Sequence, residues 1–434
     1  MSNMSKSHAL KPGDHLYLID GSGYIFRAYH ALPPLTRKSD GLPVGAVQGF
    51  CNMLWKLLKE TNAGHKPTHL AVIFDKSSKT FRNDIYPEYK AHRPEPPADL
   101  RPQFNLIKQA TRAFNVSAIE QDNYEADDLI ATYARLAVEA GATCRIVSSD
   151  KDLMQLIRPG VALYDTMKDR EVGEAEVLEK FGVHPSKVID VQSLAGDSVD
   201  NVPGVPGIGV KTAAQLLAEY GDLETLLARA SEIKQQKRRE NLIQFAEQAR
   251  ISKRLVTLDE HVPLEHEVSE FAVDTPKASQ LIGFLKALEF TSFTKKVAGE
   301  LDADMAAIDP VPVEIHHWPP EGGVEAAEQP SSRRKPGPIS PPAAIQESGA
   351  ESSGDPGLRR DDDEKLKAPI VHANYETVTT LAALDQWIAA ATAQGFLAVD
   401  TETDALDSMQ ANLVGVSLAT GFAKACYIPL AHVA

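Results

Sequence analysis

The sequence predicts an α/β fold for its first half, with helices packed on a largely parallel sheet. Short apolar runs of strand length alternate with segments whose apolar residues recur at three- and four-residue spacing, as on one face of a helix. Acidic residues follow several of these runs directly, which is typical of an open parallel sheet whose site lies at the carboxyl ends of its strands. With 434 residues, the chain is long enough for two or three folded units.

Four apolar runs are predicted as strands, and three longer periodic segments are predicted as helices. The strands are residues 15–19, 70–74, 116–119 and 144–148, and the helices are residues 45–60, 102–114 and 125–139. Together they predict a catalytic α/β domain over residues 1–180. Residues 181–301 show short helical patterns joined by Gly and Pro turns, which predicts a helical subdomain.

Residues 302–367 are predicted to form a disordered linker. They are rich in Pro, Glu, Ser and Gly and poor in aromatics, so they cannot bury enough surface to offset their ordering entropy. Between positions 302 and 366 there are 14 acidic and 6 basic residues, so this stretch contributes 6 − 14 = −8 to the formal net charge of −15. The net negative charge of the chain therefore does not exclude a nucleic-acid partner for the folded domains.

The last segment, residues 368–434, is predicted to contain one helix and three consecutive strands. The helix is residues 381–391, and the strands are residues 396–400, 413–419 and 425–430. No apolar run approaches the roughly 20 residues of a membrane span, and the first residues lack the apolar core of a secretory signal. We therefore expect a soluble, cytoplasmic, monomeric protein, with its three cysteines in packing positions.

Acidic residues stand at the ends of three predicted strands and at the start of one helix. Asp197 and Asp200 are three residues apart and are predicted to share one helical face. The other candidates are Asp20, Asp75, Asp150 and Asp152 after strands, and Glu125, Asp127 and Asp128 at the start of the helix.

Carboxylates directed at one crevice repel one another unless cations neutralise them, and hard oxygen ligands suit Mg²⁺ or Mn²⁺. Two such ions can activate a water and stabilise the leaving oxygen of a phosphodiester. The constellation therefore predicts hydrolysis of a nucleic-acid backbone. Each acid taken alone fits a solvated turn or a helix cap equally well.

Five ordered motifs resemble the 5′ nuclease domain at the amino end of bacterial DNA polymerase I, over residues 14–296. They are Leu18-Ile19-Asp20-Gly21-Ser22, Val72-Ile73-Phe74-Asp75, Tyr124-Glu125-Ala126-Asp127-Asp128, Ser149-Asp150-Lys151-Asp152 and Gly196-Asp197-Ser198-Val199-Asp200-Asn201. The resemblance implies a PIN-like fold with two metal ions. It places Asp20, Asp75, Glu125, Asp127 and Asp128 around one ion and Asp150, Asp152, Asp197 and Asp200 around the other.

Two segments are predicted to hold DNA. The first combines basic and aromatic residues, and the resemblance makes it a helical arch with Lys79 and Arg82 near the scissile phosphate. Its other predicted contacts are Tyr86, Tyr89, Lys90 and Arg93. The alternative is an ordinary solvated helix with mixed charges.

The second segment is a Gly-rich turn that leads into a helix, and its predicted contacts are Gly204, Gly207, Gly209 and Lys211. It resembles a helix-hairpin-helix-type duplex clamp, which implies a backbone-bound K⁺. The alternative is a tight connection between two helices with no ligand.

Asp400 and Glu402 in the last segment resemble the first motif of an RNase H-like 3′-5′ proofreading exonuclease. Such a site requires further acids from later elements, so we expect a truncated fragment with an incomplete metal site. The chain as a whole resembles the first part of a DNA polymerase I, without a recognisable polymerase motif.

The leading hypothesis is a structure-specific 5′-3′ exonuclease and 5′ flap endonuclease that acts on DNA flaps, nicks and RNA primers in repair and replication near the nucleoid. One alternative is a DNA-junction-binding fragment with little catalysis. Another is a ribonuclease of similar sheet topology, which the duplex-clamp turn disfavours.

Overall fold

The computed structural model describes residues 9–59, 66–166, 168–318, 376–394, 397–403, 413–421 and 424–430. The chain divides into two compact units, Met1–Gln329 and Pro330–Ala434. All three cysteines are buried and unpaired. Among the described residues, no helix combines the length and the apolar character that crossing a membrane requires.

A six-stranded sheet forms the centre of the first unit, in the order β3-β2-β1-β4-β5-β6. Neighbouring strands are parallel except for the last pair, in which β6 runs antiparallel to β5. The four predicted strands are confirmed within one residue, whereas β5 and β6 were not predicted. The strands are β1 (His15–Asp20), β2 (His69–Ile73), β3 (Ser117–Ile119), β4 (Thr143–Val147), β5 (Val161–Asp165) and β6 (Arg170–Val172).

Two apolar cores lie on opposite faces of this sheet, because successive side chains of a strand point to opposite faces. Leu16 and Leu18 of β1 belong to one core, and Tyr17 and Ile19 belong to the other. The first core also contains α5 and the helices from α6 to α11, and the second contains α1, α2, α4, α12 and α13.

The helices of the first unit include the three predicted ones, each confirmed within one residue at either end. The bounds are α1 (Gly21–Ala31), α2 (Gly45–Lys59), α3 (Phe81–Ile85), α4 (Arg101–Ala113), α5 (Ala126–Glu139), α6 (Glu174–Phe181), α7 (Val188–Ala195), α8 (Val210–Tyr220), α9 (Leu223–Ala228), α10 (Gln236–Gln244), α11 (Ala246–Val256), α12 (Ala278–Ala287) and α13 (Thr291–Glu300). The helical content predicted for residues 181–301 is therefore present.

Two sequence-based assignments in this unit need correction. The helices α12 and α13 pack with α2 and α4 in the second core rather than with α6–α11, because their apolar side chains, such as Leu285 and Phe293, contact that face. The predicted helical arch contains one short helix, α3, among the described residues 76–100. Four prolines at positions 87, 94, 96 and 97 explain this, since Pro interrupts helical hydrogen bonding.

Residues 302–318, predicted as the beginning of the linker, form an ordered strap on the second core. Ile308, Val311 and Val313 pack against this core. Gln109 of α4 exchanges two hydrogen bonds with the backbone of Glu314, of 2.7 and 2.9 Å. Apolar residues alternate with other residues in this segment, which is typical of an extended chain. The prediction of disorder rested on composition and did not take this alternation into account. The remaining linker positions, 319–367, lie outside the described residues.

Among its described residues, the second unit contains a four-stranded sheet in the order β7-β10-β9-β8 and one helix. The three strands predicted for this segment, β8, β9 and β10, pair antiparallel with one another, and the short β7 pairs parallel to β10. The predicted helix and strands are confirmed with shifts of up to three residues. The bounds are β7 (Glu376–Thr377), α14 (Leu381–Gln394), β8 (Ala398–Thr403), β9 (Leu413–Gly421) and β10 (Lys424–Pro429).

Candidate active site

The candidate site lies at the carboxyl ends of the parallel strands β1, β2 and β4. Asp20 is the last residue of β1, and Asp75 and Asp150 follow β2 and β4 within three residues. Strand register brings these ends together, since Asp20 pairs with Ile73 and Ile19 pairs with Val147. Gly21 permits this approach, because a Cβ at that position would lie 2.6 Å from the Ile73 carbonyl oxygen.

Asp20 is buried and forms part of a crowded group of carboxylates. Its side chain accepts hydrogen bonds from the Gly23 N–H at 3.0 Å and from the Ser148 hydroxyl at 2.8 Å. Burial, with the nearby charges of Asp150 and Asp75, raises the pKa of Asp20 to about 6 despite these donors. Asp20 therefore lies close to the like charges of Asp150 and Asp75, which disfavour its ionised form.

Asp127 belongs to the same group and lies in the first turn of α5. Burial, followed by the charges of Asp150, Asp20 and Asp75, raises its pKa well above the ordinary range. Asp75 is tied to this helix, because its Oδ1 accepts the Ala126 N–H at 2.9 Å. The structure thus brings Asp20, Asp75, Asp127 and Asp150 into one electrostatically coupled group, which includes members of both predicted metal sets.

A second group of acids contains Asp152, which follows β4, and Asp197, which follows α7. Burial, and then the charge of Asp150, raises the pKa of Asp152 to about 6, although Gln192 donates to its Oδ1. Burial alone would also raise the pKa of Asp197, but hydrogen bonds from Lys151 and from the Val199 N–H lower it below its ordinary value. Sequence reasoning overlooked Lys151, Gln192 and Ser148, although Lys151 stood inside a quoted motif.

Asp197 and Asp200 do not share a helical face, which corrects that prediction. The helix α7 ends at Ala195, and Gly196 adopts a φ of +70°, a conformation that glycine tolerates best. The backbones of Asp197 and Val202 then exchange hydrogen bonds of 2.9 and 2.7 Å across a tight turn. Asp197 accordingly faces Lys151, and Asp200 faces the basic segment after β2.

Asp128 is fully buried and binds Arg82 in a bidentate ion pair. Both nitrogen–oxygen distances are 2.7 Å, and the Arg82 side chain is 1% exposed. The oxygens of Asp128 also accept the backbone N–H groups of Glu125 and Asp259. In this structure Asp128 and Arg82 stabilise each other in the interior, whereas the sequence predicted a metal ligand and a phosphate contact.

Lys90 and Arg93, which the sequence predicts as DNA contacts, form ion pairs with Glu125 and Asp200. Lys90 Nζ lies 2.7 Å from Glu125 and 3.7 Å from Asp200, and Arg93 forms a further ion pair with Asp200. The hydroxyl of Tyr89 lies 3.3 Å from Glu125. Buried carboxylates need such counter-charges, and these cations and this hydroxyl supply them for Glu125 and Asp200.

Lys79 and Tyr86, which the sequence also assigns to the substrate, lie in different surroundings. Lys79 is exposed, and its ammonium group forms no ion pair with another described residue. Tyr86 packs against an apolar cluster around Leu255. Of the basic segment, Lys79 therefore retains a side chain that is free to meet a phosphate.

A cleft lies between these groups. Its lining includes Arg82, Tyr89, Glu125, Asp127, Asp152, Asp197, Asp200, Val202, Leu255, Val256 and Leu258. Within the described parts of the chain, no three Asp, Glu, His or Cys side chains form a ready-made metal cage. The acids form hydrogen bonds and ion pairs with other groups of the chain, which reduces the repulsion between their like charges.

The Gly-rich turn before α8 is held by side chains of α10 and α11. Asn241 Nδ2 donates to the Pro206 carbonyl at 2.7 Å, and Gln248 Nε2 donates to the Gly204 carbonyl at 2.6 Å. The hydroxyl of Ser252 accepts the Gly204 N–H at 3.0 Å. Gly204 has a φ of +59° and a Cβ there would lie 2.4 Å from the Gly196 nitrogen, so only glycine fits.

Gly207, Gly209 and Lys211 are the other predicted DNA contacts of this turn. Gly207 has a φ of +77°, and Gly209 is the N-cap of α8 with an ordinary negative φ. Lys211 is exposed in the first turn of α8. The turn therefore presents backbone N–H groups and one cation at a helix N-terminus, an arrangement that suits phosphate.

The second unit carries Asp400 and Glu402 on β8. Both are exposed and lie two residues apart, so they point to the same face of the strand. They pair in register with Ser417 and Gly415 of β9. No third acid joins them among the described residues.

Three family models match the chain in order. The model described as "5'-3' exonuclease, N-terminal resolvase-like domain" matches residues 15–182, and "5'-3' exonuclease, C-terminal SAM fold" matches residues 183–279. The model described as "3'-5' exonuclease" matches residues 375–433.

Similar curated proteins include a 5'-3' exonuclease and DNA polymerases I. The 5'-3' exonuclease of Aquifex aeolicus is 36% identical over 282 residues, which cover 65% of this chain and 94% of that relative. The DNA polymerase I of Rhizobium leguminosarum is 52% identical over 454 aligned residues, covering 98% of this chain and 44% of the relative. This chain thus spans less than half the length of that polymerase.

Among solved structures, the bacteriophage T5 5'-exonuclease with bound zinc is 21% identical, with a TM-score of 0.48. The match covers 66% of this chain and 98% of that chain.

Proposed function

The chain belongs to the 5′-3′ exonuclease family, and from that premise we propose that it is a metal-dependent nuclease that hydrolyses DNA at 5′ ends and flaps. The observation that carries this proposal is the group formed by Asp20, Asp75, Asp127 and Asp150 at the carboxyl ends of parallel strands. Burial and mutual repulsion raise the pKa of Asp20 and of Asp127, so this group gains most from a bound cation.

The donor set fits Mg²⁺ or Mn²⁺, because it consists of carboxylate oxygens. We propose two ions, held by the residues that the sequence assigns to the site: Asp20, Asp75, Glu125, Asp127, Asp150, Asp152, Asp197 and Asp200, with Asp128 as a supporting residue. Bound ions would supply activation of a water and stabilisation of the leaving oxygen.

The chain's own residues orient these ligands and balance their charge. Ser148 and Ser22 donate hydrogen bonds to Asp20 and Asp75, of 2.8 and 2.7 Å, and so fix the two carboxylates. Lys90 holds Glu125 and Asp200 together with one positive charge. Lys90 and Arg93 pair with these acids, and with a divalent ion held by the acids the two cations would be available to phosphates, as the sequence predicts.

Substrate binding is assigned to two elements. Lys79 is exposed, and we propose that it contacts the phosphate near the scissile bond. The turn with Gly204, Gly207, Gly209 and Lys211 would bind the backbone of the adjoining duplex. A K⁺ at this turn remains a proposal, and the carbonyls of Gly204 and Pro206 already accept one hydrogen bond each.

The wider setting is also a proposal. We expect DNA flaps, nicks and RNA primers as substrates, in the cytoplasm near the nucleoid, with the chain acting as a monomer. The domain boundaries near residues 180 and 367 remain proposals, whereas α12, α13 and residues 302–318 pack on the second core and so belong with the α/β domain. Asp400 and Glu402 would contribute two ligands to a second, 3′-5′ exonuclease site, for which the described residues supply no third acid.

Cleavage of a labelled 5′ flap substrate tests the proposed activity. We expect cleavage with Mg²⁺, none with EDTA, and none from Asp150→Asn, because the remaining acids would bind the ions incorrectly. Asp274→Asn removes the charge of another exposed carboxylate and should cleave normally. Cleavage in EDTA, or equal activity of the two variants, would refute the proposal.

The same assay separates the alternative functions. Tight flap binding without turnover in Mg²⁺ would support a junction-binding fragment, in which Lys90 and Arg93 keep the acids occupied. Faster cleavage of single-stranded RNA than of flap DNA would support the ribonuclease hypothesis.

A further inference from the structure

A basic surface at the start of α10 has no part in the site described above. Lys234, Lys237 and Arg238 form this α10 basic surface, and no acidic residue occurs from position 233 to position 239. Lys234 and Lys237 are exposed, and Arg238 is partly exposed. Arg239 is different, since its side chain donates to the Ile233 carbonyl at 2.7 Å and fixes the loop before the helix.

The charges of this surface are not balanced locally. Neither the two lysines nor Arg238 forms an ion pair with another described residue. Nearby cations of the same subdomain behave differently, since Arg229 pairs with Glu232 and Arg250 pairs with Glu224 and Glu247. The next acid along α10, Glu240, accepts a hydrogen bond from the neutral Gln236.

The position of α10 connects this surface to the Gly-rich turn. Asn241 of α10 donates to the Pro206 carbonyl, and a Cβ at Gly207 would lie 3.8 Å from the Asn241 amide nitrogen. Lys237 and Arg238 precede Asn241 by four and three residues, so they lie one helical turn away on the same side of α10. The free cations therefore adjoin the backbone groups proposed to bind a phosphate.

We infer that the α10 basic surface is a second contact for the backbone of duplex DNA, extending the grip of the Gly-rich turn to neighbouring phosphates. This inference rests on the proposed function, since it assumes a duplex bound at that turn. In a chain with a formal net charge of −15, binding must come from local positive surfaces. Three solvent-accessible cations that form no ion pair within the described part of the chain suit sequence-independent binding to a phosphate backbone.

The test compares Lys237→Ala/Arg238→Ala with a matched control, Lys295→Ala/Lys296→Ala, in the full chain. The control also removes two positive charges from exposed positions of a helix, α13, which packs on the opposite face of the sheet. Affinity for a fluorescent 5′ flap duplex is measured by anisotropy in EDTA at several salt concentrations, where the proposed cleavage cannot proceed.

We expect the α10 double variant to bind about 10-fold more weakly near 0.1 M salt, with a slope of log affinity against log salt that is shallower by roughly 1 to 2. Lys234→Ala, outside the helix, should give about half of this change in slope. The control should bind within about twofold of the wild type with an unchanged slope.

Two outcomes overturn the inference: equal slopes for the α10 variants and the control, or an equal loss of affinity for single-stranded DNA. Flap cleavage by the wild-type chain in Mg²⁺ is measured in parallel. Normal cleavage with unchanged slopes rejects the α10 contact alone, whereas absence of cleavage rejects the proposed function.

Discussion

Replacing Asp128 with alanine should destabilise the fold itself, beyond any effect on metal binding. Asp128 and Arg82 are buried together and joined by two hydrogen bonds of 2.7 Å. Arg82 also donates to the carbonyls of Leu255 and Thr257, at 2.8 and 3.1 Å. The pair thus connects the segment after β2, the start of α5 and the end of α11.

The structure indicates the size of the effect. In Asp128→Ala, the guanidinium of Arg82 stays buried, and the nearby carboxylate of Glu125 is 3.9 Å away. Breaking one side of a buried ion pair costs about 3–5 kcal/mol, since an uncompensated charge remains in the interior. Arg82→Met/Asp128→Leu removes both charges, so its cost should be smaller than the sum of the single variants by at least about 2 kcal/mol.

Urea denaturation of the metal-free chain, followed by far-ultraviolet circular dichroism, measures these free energies of unfolding. Asp122→Ala is the control, because it breaks the exposed ion pair with Lys76 and should cost less than about 1 kcal/mol. If Asp128→Ala unfolds within about 1 kcal/mol of the wild type, or if the two single variants are additive, the pair is not a structural unit. Asp128 would then be better explained as a metal ligand, as the sequence predicts.

Three further predictions follow from the site, the strap and the Gly-rich turn. Asp20→Asn should stabilise the metal-free chain by about 1–3 kcal/mol near pH 7.5 and have no effect near pH 3.5. Burial raises the pKa of Asp20 in the folded chain to about 6, whereas its pKa in the unfolded chain is about 4. The wild type therefore loses stability as the pH rises from about 4 through 6. Equal effects of the substitution in urea denaturation at both pH values would contradict this. Gly283→Ala should lower the free energy of unfolding by about 1–2 kcal/mol despite the higher helix propensity of alanine, because the new Cβ would lie 2.6 Å from Val311 of the strap. Gly299→Ala in α13, where a Cβ meets nothing within 4 Å, should instead be neutral or stabilising, and the same sign for both variants would argue against strap packing. Gln248→Ala should raise the KM for a flap duplex about 3- to 10-fold with an unchanged kcat, because its amide holds the Gly204 carbonyl, and a fall in kcat alone would exclude this positioning role.

Local patterns predicted the frame of the molecule because they act over short distances along the chain. The continuous apolar run Leu16-Tyr17-Leu18-Ile19 indicates a strand buried on both faces, and the structure divides these four residues between two cores. The position of Asp20, Asp75 and Asp150 after their strands was sufficient to bring them to one edge of the sheet. Parallel pairing with fixed register makes this outcome independent of side-chain detail.

The same patterns failed where the outcome depended on residues distant in sequence. Spacing suggested one helical face for Asp197 and Asp200, but the conformation of Gly196 and the pairing of Asp197 with Val202 produced a tight turn. Composition suggested that residues 302–318 would be disordered. Contacts with α4 and α12 keep them in place, and no local rule could have shown these contacts.

By itself, then, the sequence determined the four central parallel strands, the three long helices beside them, and the gathering of Asp20, Asp75 and Asp150 at one end of the sheet, because hydrophobic periodicity and chain order specify them. The tertiary structure alone decided how those acids are compensated. It buries Asp128 against Arg82, places Lys90 between Glu125 and Asp200, and leaves Lys79 exposed. Charge partners are chosen by distance and burial in the folded chain, and neither can be read from the spacing of residues along it.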